Sequence, residues 1–277
     1  MPELPEVEVV RTALDKELSG KKISDIDIRS PRMIRRHSSK KEVADMVVGA
    51  KVLSVDRRGK YLLVRLDNEE VLVMHLGMSG RLEKASGRKA VEKHTRIIIK
   101  FGAAMQIRFI DPRTFGELFV SQADELDGVP ELSHIALDPL ADAFTWLSFS
   151  GVVESRKVKL KSLLCDQTFV SGLGNIYSDE VLWAAGLLPD RRSDTLTAQE
   201  MRRLYRAMQE ILTEAVKAGG TTLEDQAYRN LAGEAGTFQE QLKAYGQEGK
   251  ACRRCRDPIV RGRWGNRSTY YCQRCQV

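Results

Sequence analysis

The feature that most constrains this chain is a pair of cysteine pairs near its C-terminal end. Cys252 and Cys255 form one Cys-x2-Cys pair, Cys272 and Cys275 form a second, and 16 residues separate them. This spacing is typical of a zinc ribbon, in which four thiolates hold one structural Zn²⁺. Two disulfides are the alternative. Four of the five cysteines cluster in the last 26 residues with no export signal in the chain, so we expect metal.

The residues between the cysteine pairs predict the β-hairpin of such a ribbon. Residues 259–264 and 267–271 are strand-like, and Gly265-Asn266 between them is a two-residue turn signal. Arg267 would therefore lie beside the hairpin tip. A ribbon this small is not expected to fold alone, so metal removal should unfold it.

The opposite end of the chain carries a potential nucleophile. If Met1 is removed, Pro2 becomes a free secondary amine beside the carboxylate of Glu3. An α-amino group titrates at about 7.7–8.0 and a lysine at about 10.4, so roughly a few hundredfold more of the terminal amine is unprotonated at neutral pH. With a sugar aldehyde carbon it would form an iminium that keeps its charge and drives elimination. The alternative is that Pro2 and Pro5 only precede a helix.

Composition narrows the class of protein only slightly. The 277 residues can form one large domain or two modest ones, and we expect two. Lys and Arg number 44 against 38 Asp and Glu, a net charge of +6 that suits a polyanionic partner or an ordinary basic enzyme. No apolar run approaches about 18 residues, and no charged leader precedes a hydrophobic segment, so we predict a soluble intracellular protein.

Hydrophobic periodicity predicts an α+β chain. Helical spacing of apolar residues runs from Val7 to Leu18, residues 23–28 alternate like a strand, and Ser39 begins a short capped helix. Strand-like runs follow, separated by short turns that favour an antiparallel, two-layered β-sandwich. These runs are residues 52–55, 61–66, 71–76, 96–101, 105–110 and 117–120.

After about residue 130 the pattern becomes helical. Helices are predicted at residues 144–156, 159–165, 176–185 and 197–218. The last begins with the capping box Thr197-x-x-Glu200 and ends at Gly219-Gly220. Residues 221–239 are polar and contain glycine, which predicts a mobile loop. The turn Gly172-x-Gly174 directly precedes a helix, where backbone N–H groups can bind an anion, although an ordinary loop is the alternative.

Several segments together resemble the formamidopyrimidine-DNA glycosylases, base-excision enzymes that remove oxidised purines. They are Met1-Pro2-Glu3-Leu4-Pro5-Glu6-Val7-Glu8, Arg57-Arg58-Gly59-Lys60-Tyr61, His75-Leu76-Gly77-Met78-Ser79-Gly80, Asp111-Pro112-Arg113-Thr114-Phe115-Gly116 and Leu163-Leu164-Cys165-Asp166-Gln167 with Gly172-x-Gly174-Asn175-Ile176-Tyr177 and Asp179-Glu180. The resemblance spans nearly the whole chain. It implies an N-terminal two-layered β-sandwich flanked by helices, a helical domain with a helix-two-turns-helix motif, and a zinc-ribbon hairpin.

The resemblance also implies an activity, that of a bifunctional DNA glycosylase and abasic-site lyase in base excision repair. Pro2 would attack C1′ of the damaged nucleotide, and Glu3 would protonate the opening sugar. Lys60 would assist the first elimination and Arg267 the second. No nucleotide cofactor is implied, and the zinc would be structural.

Seven further residues match family positions that contact DNA: His75, Met78, His94, Arg113, Phe115, Lys157 and Asn175. Base eversion leaves a hole in the duplex, which Met78 and Phe115 would fill while Arg113 bonds the abandoned partner base. Asn175 would hold the phosphate at the lesion. Without the resemblance, Met78 and Phe115 are expected in the core. Arg113, Lys60 and Lys157 are then ordinary surface cations.

These features predict three domains and a partner. Residues 1–130 would form the catalytic domain and residues 131–249 the helix-two-turns-helix domain, with a lesion-capping loop at about residues 219–239. Residues 250–277 would form the zinc finger. The partner would be damaged double-stranded DNA, bound by a monomer in the bacterial cytoplasm at the nucleoid, with no membrane involved. His37 and His134 are expected to be structural or solvated, and Cys165 a small buried hydrophobe.

The chain departs from the family pattern at three places. The loop after residue 223 is about two residues longer than usual, with Thr237 in place of a common tyrosine, which puts lesion preference in doubt. Asn266 stands where a glycine often precedes the finger arginine, and Ala136-Leu137-Asp138-Pro139-Leu140 alters a usual Gly-Pro-Glu-Pro-Leu stretch. We expect the last two changes to be tolerated.

Two rival functions are open at this point. An enzyme resembling endonuclease VIII would use the same amine on oxidised pyrimidines. Leu4-Pro5 and the set Met78, Arg113 and Phe115 favour the purine branch instead. The second rival is a non-catalytic, zinc-ribbon nucleic-acid-binding protein, which the basic composition alone supports.

Overall fold

The computed structural model describes residues 2–133, 137–264 and 266–277, so the predictions for Met1, His134, Ala136 and Gly265 lie outside the described residues. The chain divides into two compact units. Unit 1 comprises the chain up to Ser133 together with Ala218–Thr237, and unit 2 comprises the remainder. Most of the predicted lesion-capping loop thus groups with the β-rich N-terminal part of the chain.

Unit 1 is built on a β-sandwich, as predicted. One sheet has the strand order β1-β6-β7-β5 and the other β2-β3-β4-β8, and every pairing is antiparallel. The strands are β1 Asp25–Ile28, β2 Val52–Arg58, β3 Tyr61–Leu66, β4 Glu70–His75, β5 Arg81–Ser86, β6 Thr95–Phe101, β7 Met105–Ile110 and β8 Glu117–Gln122.

One hydrophobic cluster joins the two sheets and two helices of unit 1. Alternate residues of the strands, such as Val64 and Ile99, point into it because successive side chains of a strand face opposite sides. The helix α1, Leu4–Leu18, adds Val10 and Leu14. The helix α2, Lys40–Val47, begins at the predicted cap, where the Ser39 hydroxyl accepts the Glu42 N–H at 3.1 Å. A one-turn helix, α3 Pro130–Ser133, ends the N-terminal segment.

Strand β5 of the sandwich was not predicted from the sequence. Its sequence, Arg-Leu-Glu-Lys-Ala-Ser, contains only two apolar residues, and both Leu82 and Ala85 are buried. It is an edge strand, paired with β7 alone in its sheet. The buried Glu83 carboxylate is paired with the Lys89 ammonium at 2.5 Å. The strand therefore depends on tertiary contacts that periodicity does not record.

Unit 2 contains the predicted helices and the predicted hairpin. The helices are α4 Trp146–Glu154, α5 Leu160–Leu164, α6 Asn175–Ala185 and α7 Ala198–Lys217. The capping box before α7 is confirmed, because Glu200 N–H donates to the Thr197 hydroxyl at 3.3 Å and Thr197 N–H to the Glu200 carboxylate at 2.8 Å. Strands β9 Val260–Trp264 and β10 Arg267–Tyr271 pair with Trp264 opposite Arg267. No helix in the described ranges is long and apolar enough to cross a bilayer.

Candidate active site

Pro2 and Glu3 are buried just before the first residue of α1. Pro2 is buried and Glu3 is 2% exposed, and Glu3 is the residue that precedes the helix. The Glu6 carboxylate, 1% exposed, accepts the backbone N–H of Glu3 at 2.8 Å. Pro2 therefore lies two residues before the first residue of the helix, at the end where the helix dipole is positive.

Glu6 also connects this segment to the predicted capping loop. Its second carboxylate oxygen accepts the Thr221 N–H at 2.7 Å. Gly220, with φ +84°, leaves no room for a side chain, because a Cβ there would lie 3.0 Å from Glu6 and 2.9 Å from the Tyr228 ring. A single buried carboxylate thus fixes both the residue after Pro2 and the first turn of the loop.

The loop itself is anchored in unit 1 along its length. The side chains of Tyr228 and Leu231 belong to the sandwich core, at 5% and 3% exposure. The Thr222 hydroxyl donates to the Tyr228 carbonyl at 3.0 Å, and Lys84 N–H donates to the Leu231 carbonyl at 2.9 Å. Thr237 joins the two ends of the loop by donating its N–H to Ala218 O at 2.9 Å. The irregular backbone was predicted correctly, but the prediction of a mobile loop missed these anchors.

Lys60 lies in the tight turn between β2 and β3. It is only 8% exposed, so the interpretation as an ordinary surface lysine is wrong. Gly59 has φ +59°, and its carbonyl accepts a hydrogen bond from the Arg57 guanidinium at 3.1 Å. Arg57 is itself paired with Glu8 of α1 at 2.7 Å. The turn that carries Lys60 is therefore tied to the helix that begins beside Pro2.

His75 is a partly buried, uncharged imidazole at the end of β4. Its ring contacts the Tyr61 ring with centroids 4.6 Å apart, and its Nδ1 accepts the Gly77 N–H at 3.3 Å. Burial, with a smaller contribution from the Lys60 ammonium, lowers the pKa of His75 to about 4. At neutral pH it can offer an Nε2–H donor but not a positive charge.

Two short loops of unit 1 display exposed apolar residues. Met78 is 44% exposed and Phe115 is 41% exposed, so neither belongs to the core. Arg113 is exposed as well, with its guanidinium 4.7 Å from the centre of the Phe115 ring. His94 is partly exposed on the neighbouring connection, and its carbonyl accepts Asp111 N–H at 2.9 Å. Sequence reasoning assigned these four residues but gave Asp111 no role.

In unit 2, α6 begins at Asn175 immediately after the glycine turn. The Gln167 side chain shapes that turn by accepting Gly172 N–H at 2.9 Å and donating to Leu173 O at 2.9 Å. Within the described residues, the buried Oδ1 of Asn175 has no hydrogen-bond partner. Oδ1 is an acceptor and cannot itself bind an anion, so the donors that could do so here are the Asn175 Nδ2 group and the backbone N–H groups at the positive end of the helix.

A buried ion pair between α5 and α6 holds the start of α6, and this pairing was not predicted from the sequence. Lys161 of α5 is 1% exposed, and its ammonium lies 2.6 Å from the Asp179 carboxylate and 3.1 Å from Asn175 O. The other Asp179 oxygen accepts Tyr270 N–H from β10 at 2.9 Å. Burial raises the pKa of Asp179, and the Lys161 ammonium opposes that shift. The pair joins α5, α6 and the hairpin.

The other predicted residues of unit 2 lie at its surface. Lys157 is exposed just before α5, which is compatible with a DNA contact or with a solvated basic face. Arg267 is exposed as the first residue of β10, next to the hairpin turn, where the sequence predicted it.

The four cysteines form a cluster that could hold one metal ion. Their Sγ atoms all lie within 4.8 Å of one another. Cys252 and Cys275 are 3.9 Å apart and Cys255 and Cys272 are 3.5 Å apart, so neither pair is a disulfide. Four thiolates around a tetrahedral Zn²⁺ lie about 3.8 Å apart, so the cluster fits zinc.

Comparison with known proteins supports the family resemblance over the whole chain. The family model of the formamidopyrimidine-DNA glycosylase N-terminal domain matches residues 1–118, and that of the formamidopyrimidine-DNA glycosylase H2TH domain matches residues 135–227. The formamidopyrimidine-DNA glycosylase of Pelotomaculum thermopropionicum is 41% identical, with 100% of this chain and 99% of that protein covered. The chain belongs to the formamidopyrimidine-DNA glycosylase family.

Solved structures of the family agree with the fold. The Lactococcus lactis glycosylase in complex with DNA containing N7-benzyl-Fapy-dG superposes with a TM-score of 0.90 at 33% identity, and 99% of each chain is covered. The same enzyme in complex with DNA containing an abasic site gives 0.91 at 32% identity with the same coverage. The chain is a DNA glycosylase of oxidised-purine repair, in a family whose members also have abasic-site lyase activity.

Two residues of this glycosylase are structural, as expected. The His37 ring is buried, with Nε2 accepting Val120 N–H at 2.9 Å and Nδ1 2.9 Å from the Glu42 carboxylate. Cys165 is 7% exposed at the end of α5.

Proposed function

We propose that this enzyme excises oxidised purines, 8-oxoguanine and formamidopyrimidines, from duplex DNA and then cleaves the strand by β,δ-elimination. The observation that carries the proposal is the buried Pro2-Glu3 pair at the head of α1, held by Glu6. A nucleophile and a proton donor fixed side by side and away from bulk water suit covalent attack on a sugar carbon. The Lactococcus complexes with lesion and abasic DNA support the substrate class.

The chemistry begins at the α-amino nitrogen of Pro2, exposed by removal of Met1. That nitrogen would bond to C1′ of the damaged nucleotide as the glycosidic bond breaks, and the base would leave with the bonding electrons. Glu3 would give a proton to the ring oxygen as the sugar opens, leaving an iminium at C1′. Lys60, held in its buried turn, would assist removal of the C2′ proton, and Arg267 would assist the second elimination.

The DNA contacts are those that the family resemblance implies, and the exposure of Met78, Arg113 and Phe115 supports them. Met78 and Phe115 would enter the space of the everted base, and Arg113 would bond the abandoned partner base. Asn175 at the start of α6 would bind the phosphate at the lesion. His94 and Lys157 would contact the DNA backbone, and His75 would donate one neutral hydrogen bond rather than an ionic contact.

The cysteine cluster would hold one structural Zn²⁺. All four ligand positions would be filled by Cys252, Cys255, Cys272 and Cys275, so the ion would supply no open site for chemistry. Its role would be to hold β9 and β10 and thereby Arg267.

The proposed organisation follows these roles. Residues 1–130 would form the catalytic domain, residues 131–249 the DNA-binding domain with the capping loop at about 219–239, and residues 250–277 the zinc finger. We propose that the enzyme acts as a monomer in the bacterial cytoplasm, at the nucleoid, because its substrate would be chromosomal DNA.

A substrate comparison tests the proposal. Purified protein is incubated with duplexes containing 8-oxoguanine or thymine glycol, with Pro2→Gly and Glu3→Gln as variants. We expect preferential release of 8-oxoguanine and a loss of at least about 100-fold in both variants. Preference for thymine glycol would assign the enzyme to the pyrimidine branch. Binding without release, unchanged by either variant, would identify a non-catalytic DNA-binding protein.

A further inference from the structure

Asp111 is a fully buried carboxylate, at 0% exposure, that follows β7. One oxygen accepts the Ser79 hydroxyl at 2.7 Å and the Arg113 N–H at 3.1 Å. The other accepts the Gly116 N–H at 2.8 Å. These three donors lie on the two loops that display Met78, Arg113 and Phe115, so one side chain is bonded to both.

The same two loops pack so closely that there is no room for a side chain at Gly77. A Cβ on Gly77, which has φ +65°, would lie 2.6 Å from Gly116 N and 2.6 Å from Phe115 C. Thr114 between the two donors of its loop has φ +54°, a conformation that costs a β-branched residue free energy. The bonds from Arg113 N–H and Gly116 N–H to Asp111 flank this strained residue and hold it in place.

The backbone of Asp111 connects a third segment. Its N–H donates to His94 O at 2.9 Å, and its carbonyl accepts the Arg96 Nε–H at 2.8 Å. The carboxylate thus lies where three connections of unit 1 meet, and it has no access to solvent or to a ligand.

We propose that Asp111 is the positioning residue that sets how far Met78, Arg113 and Phe115 project into the duplex. It controls base eversion and discrimination of the opposite base without touching DNA. This inference rests on the proposed function, because it assigns Asp111 a role in a step that only a base-everting enzyme performs.

The test compares three variants. Asp111→Asn keeps the size of the side chain but presents an NH₂ group to one of its backbone donors. Ser79→Ala removes one of the three bonds. Glu70→Gln is the matched control. Glu70 is another buried carboxylate of unit 1, but it lies in β4 of the other sheet, where it accepts a hydrogen bond from the Gln122 side chain. Single-turnover excision of 8-oxoguanine is measured opposite cytosine and opposite adenine, alongside cleavage of a preformed abasic site in single-stranded DNA.

The expected result is a split between the substrates. Asp111→Asn should slow duplex excision by about 10- to 100-fold and reduce the cytosine-to-adenine ratio, because a buried donor is left unpaired and the loops shift. Single-stranded cleavage, which needs no eversion and has no opposite base, should stay within about twofold. Ser79→Ala should show the same pattern more weakly, and Glu70→Gln should show neither effect.

Two results would overturn the inference. One is an equal loss on duplex and single-stranded substrates, which a purely structural role predicts. The other is a Ser79→Ala enzyme whose cytosine-to-adenine ratio is unchanged, when Asp111→Asn either excises like the wild type or is unfolded. Thermal unfolding shows whether Asp111→Asn is folded. A wild-type enzyme that releases no base from any duplex would instead contradict the proposed function itself.

Discussion

In unit 1, Glu6 and Asp111 hold the segments around Pro2 and Phe115 by accepting neutral N–H and O–H donors. In unit 2, the Lys161 ammonium holds α6 and the hairpin through charge, and the cluster of four cysteines would do so through its proposed metal ion. Hydrogen bonds to a buried carboxylate can be lost one at a time. A buried ion pair or metal cluster loses much more when one partner is removed. We therefore expect single substitutions to loosen unit 1 locally and to unfold larger parts of unit 2.

Metal removal should have the largest effect and should be confined to unit 2. Chelation, or Cys272→Ser, should unfold the hairpin and lower excision by at least about 100-fold, because the free energy of metal binding is part of the folding free energy of so small a module. Hydrogen exchange should rise in residues 252–275 while the amides of α1 remain protected. Equal loss of protection in α1 would show that the two units do not differ in this way.

Breaking the buried ion pair should have the next largest effect. Lys161→Met leaves the Asp179 carboxylate without its cation and should cost about 3–5 kcal/mol of unfolding free energy. The double variant Lys161→Met with Asp179→Asn removes both charges but retains an acceptor for Tyr270 N–H, and it should recover part of that loss. Urea unfolding measures both. A double variant as unstable as the single one would contradict a charge-based explanation.

Glu6→Gln tests the hydrogen bonds to a buried carboxylate in unit 1. The amide can accept only one of the Glu3 and Thr221 N–H donors, so the expected cost is about 1–3 kcal/mol. Hydrogen exchange should increase at Thr221 and in the loop up to Leu231, and 8-oxoguanine excision should fall. Val7→Ala, which removes core atoms from the same helix but leaves the Glu6 carboxylate and its two N–H donors in place, is the control and should leave exchange at Thr221 low.

The smallest effect should be a pH dependence caused by His75. Its pKa is about 4 in the folded protein against an ordinary 6.5, so the unfolded chain takes up a proton first as the pH falls. The stability that His75 contributes is present above pH 6.5 and should be lost by about 1–2 kcal/mol as the pH falls toward the folded pKa. Thermal unfolding of His75→Asn should lack this component. An unchanged pH profile would exclude His75 as its source.

Several parts of this structure could be predicted because local patterns determine them. Strand β3 is almost entirely apolar and β7 alternates apolar with polar residues up to Phe109, and the cysteine spacing with the turn signal Gly265-Asn266 predicts a hairpin. Strand β5 could not be predicted, since it contains a buried carboxylate, Glu83, that is paired with Lys89. Tyr228 and Leu231 gave no periodic signal either, because they are buried against sandwich strands that lie more than about a hundred residues earlier in the chain.

The candidate site shows the same division. Pro2, Lys60, Asn175 and the cysteines were assigned from motifs and their resemblance to a family. Glu6, Asp111 and the pair Lys161–Asp179 were not, because each acts through contacts between segments that are 14 to 215 residues apart or through backbone donors that any sequence has. Motifs name the groups that would touch the substrate, and packing decides which groups hold them.

The most direct test of the account is to locate the covalent bond that it requires. The enzyme is incubated with abasic or 8-oxoguanine DNA, the adduct is reduced with borohydride, and the crosslinked peptide is mapped by mass spectrometry, with Lys60→Met as a companion variant. The account predicts an adduct on the nitrogen of Pro2 in protein lacking Met1, formed also by Lys60→Met. An adduct on an internal lysine, or normal capture by Pro2→Gly, would contradict it.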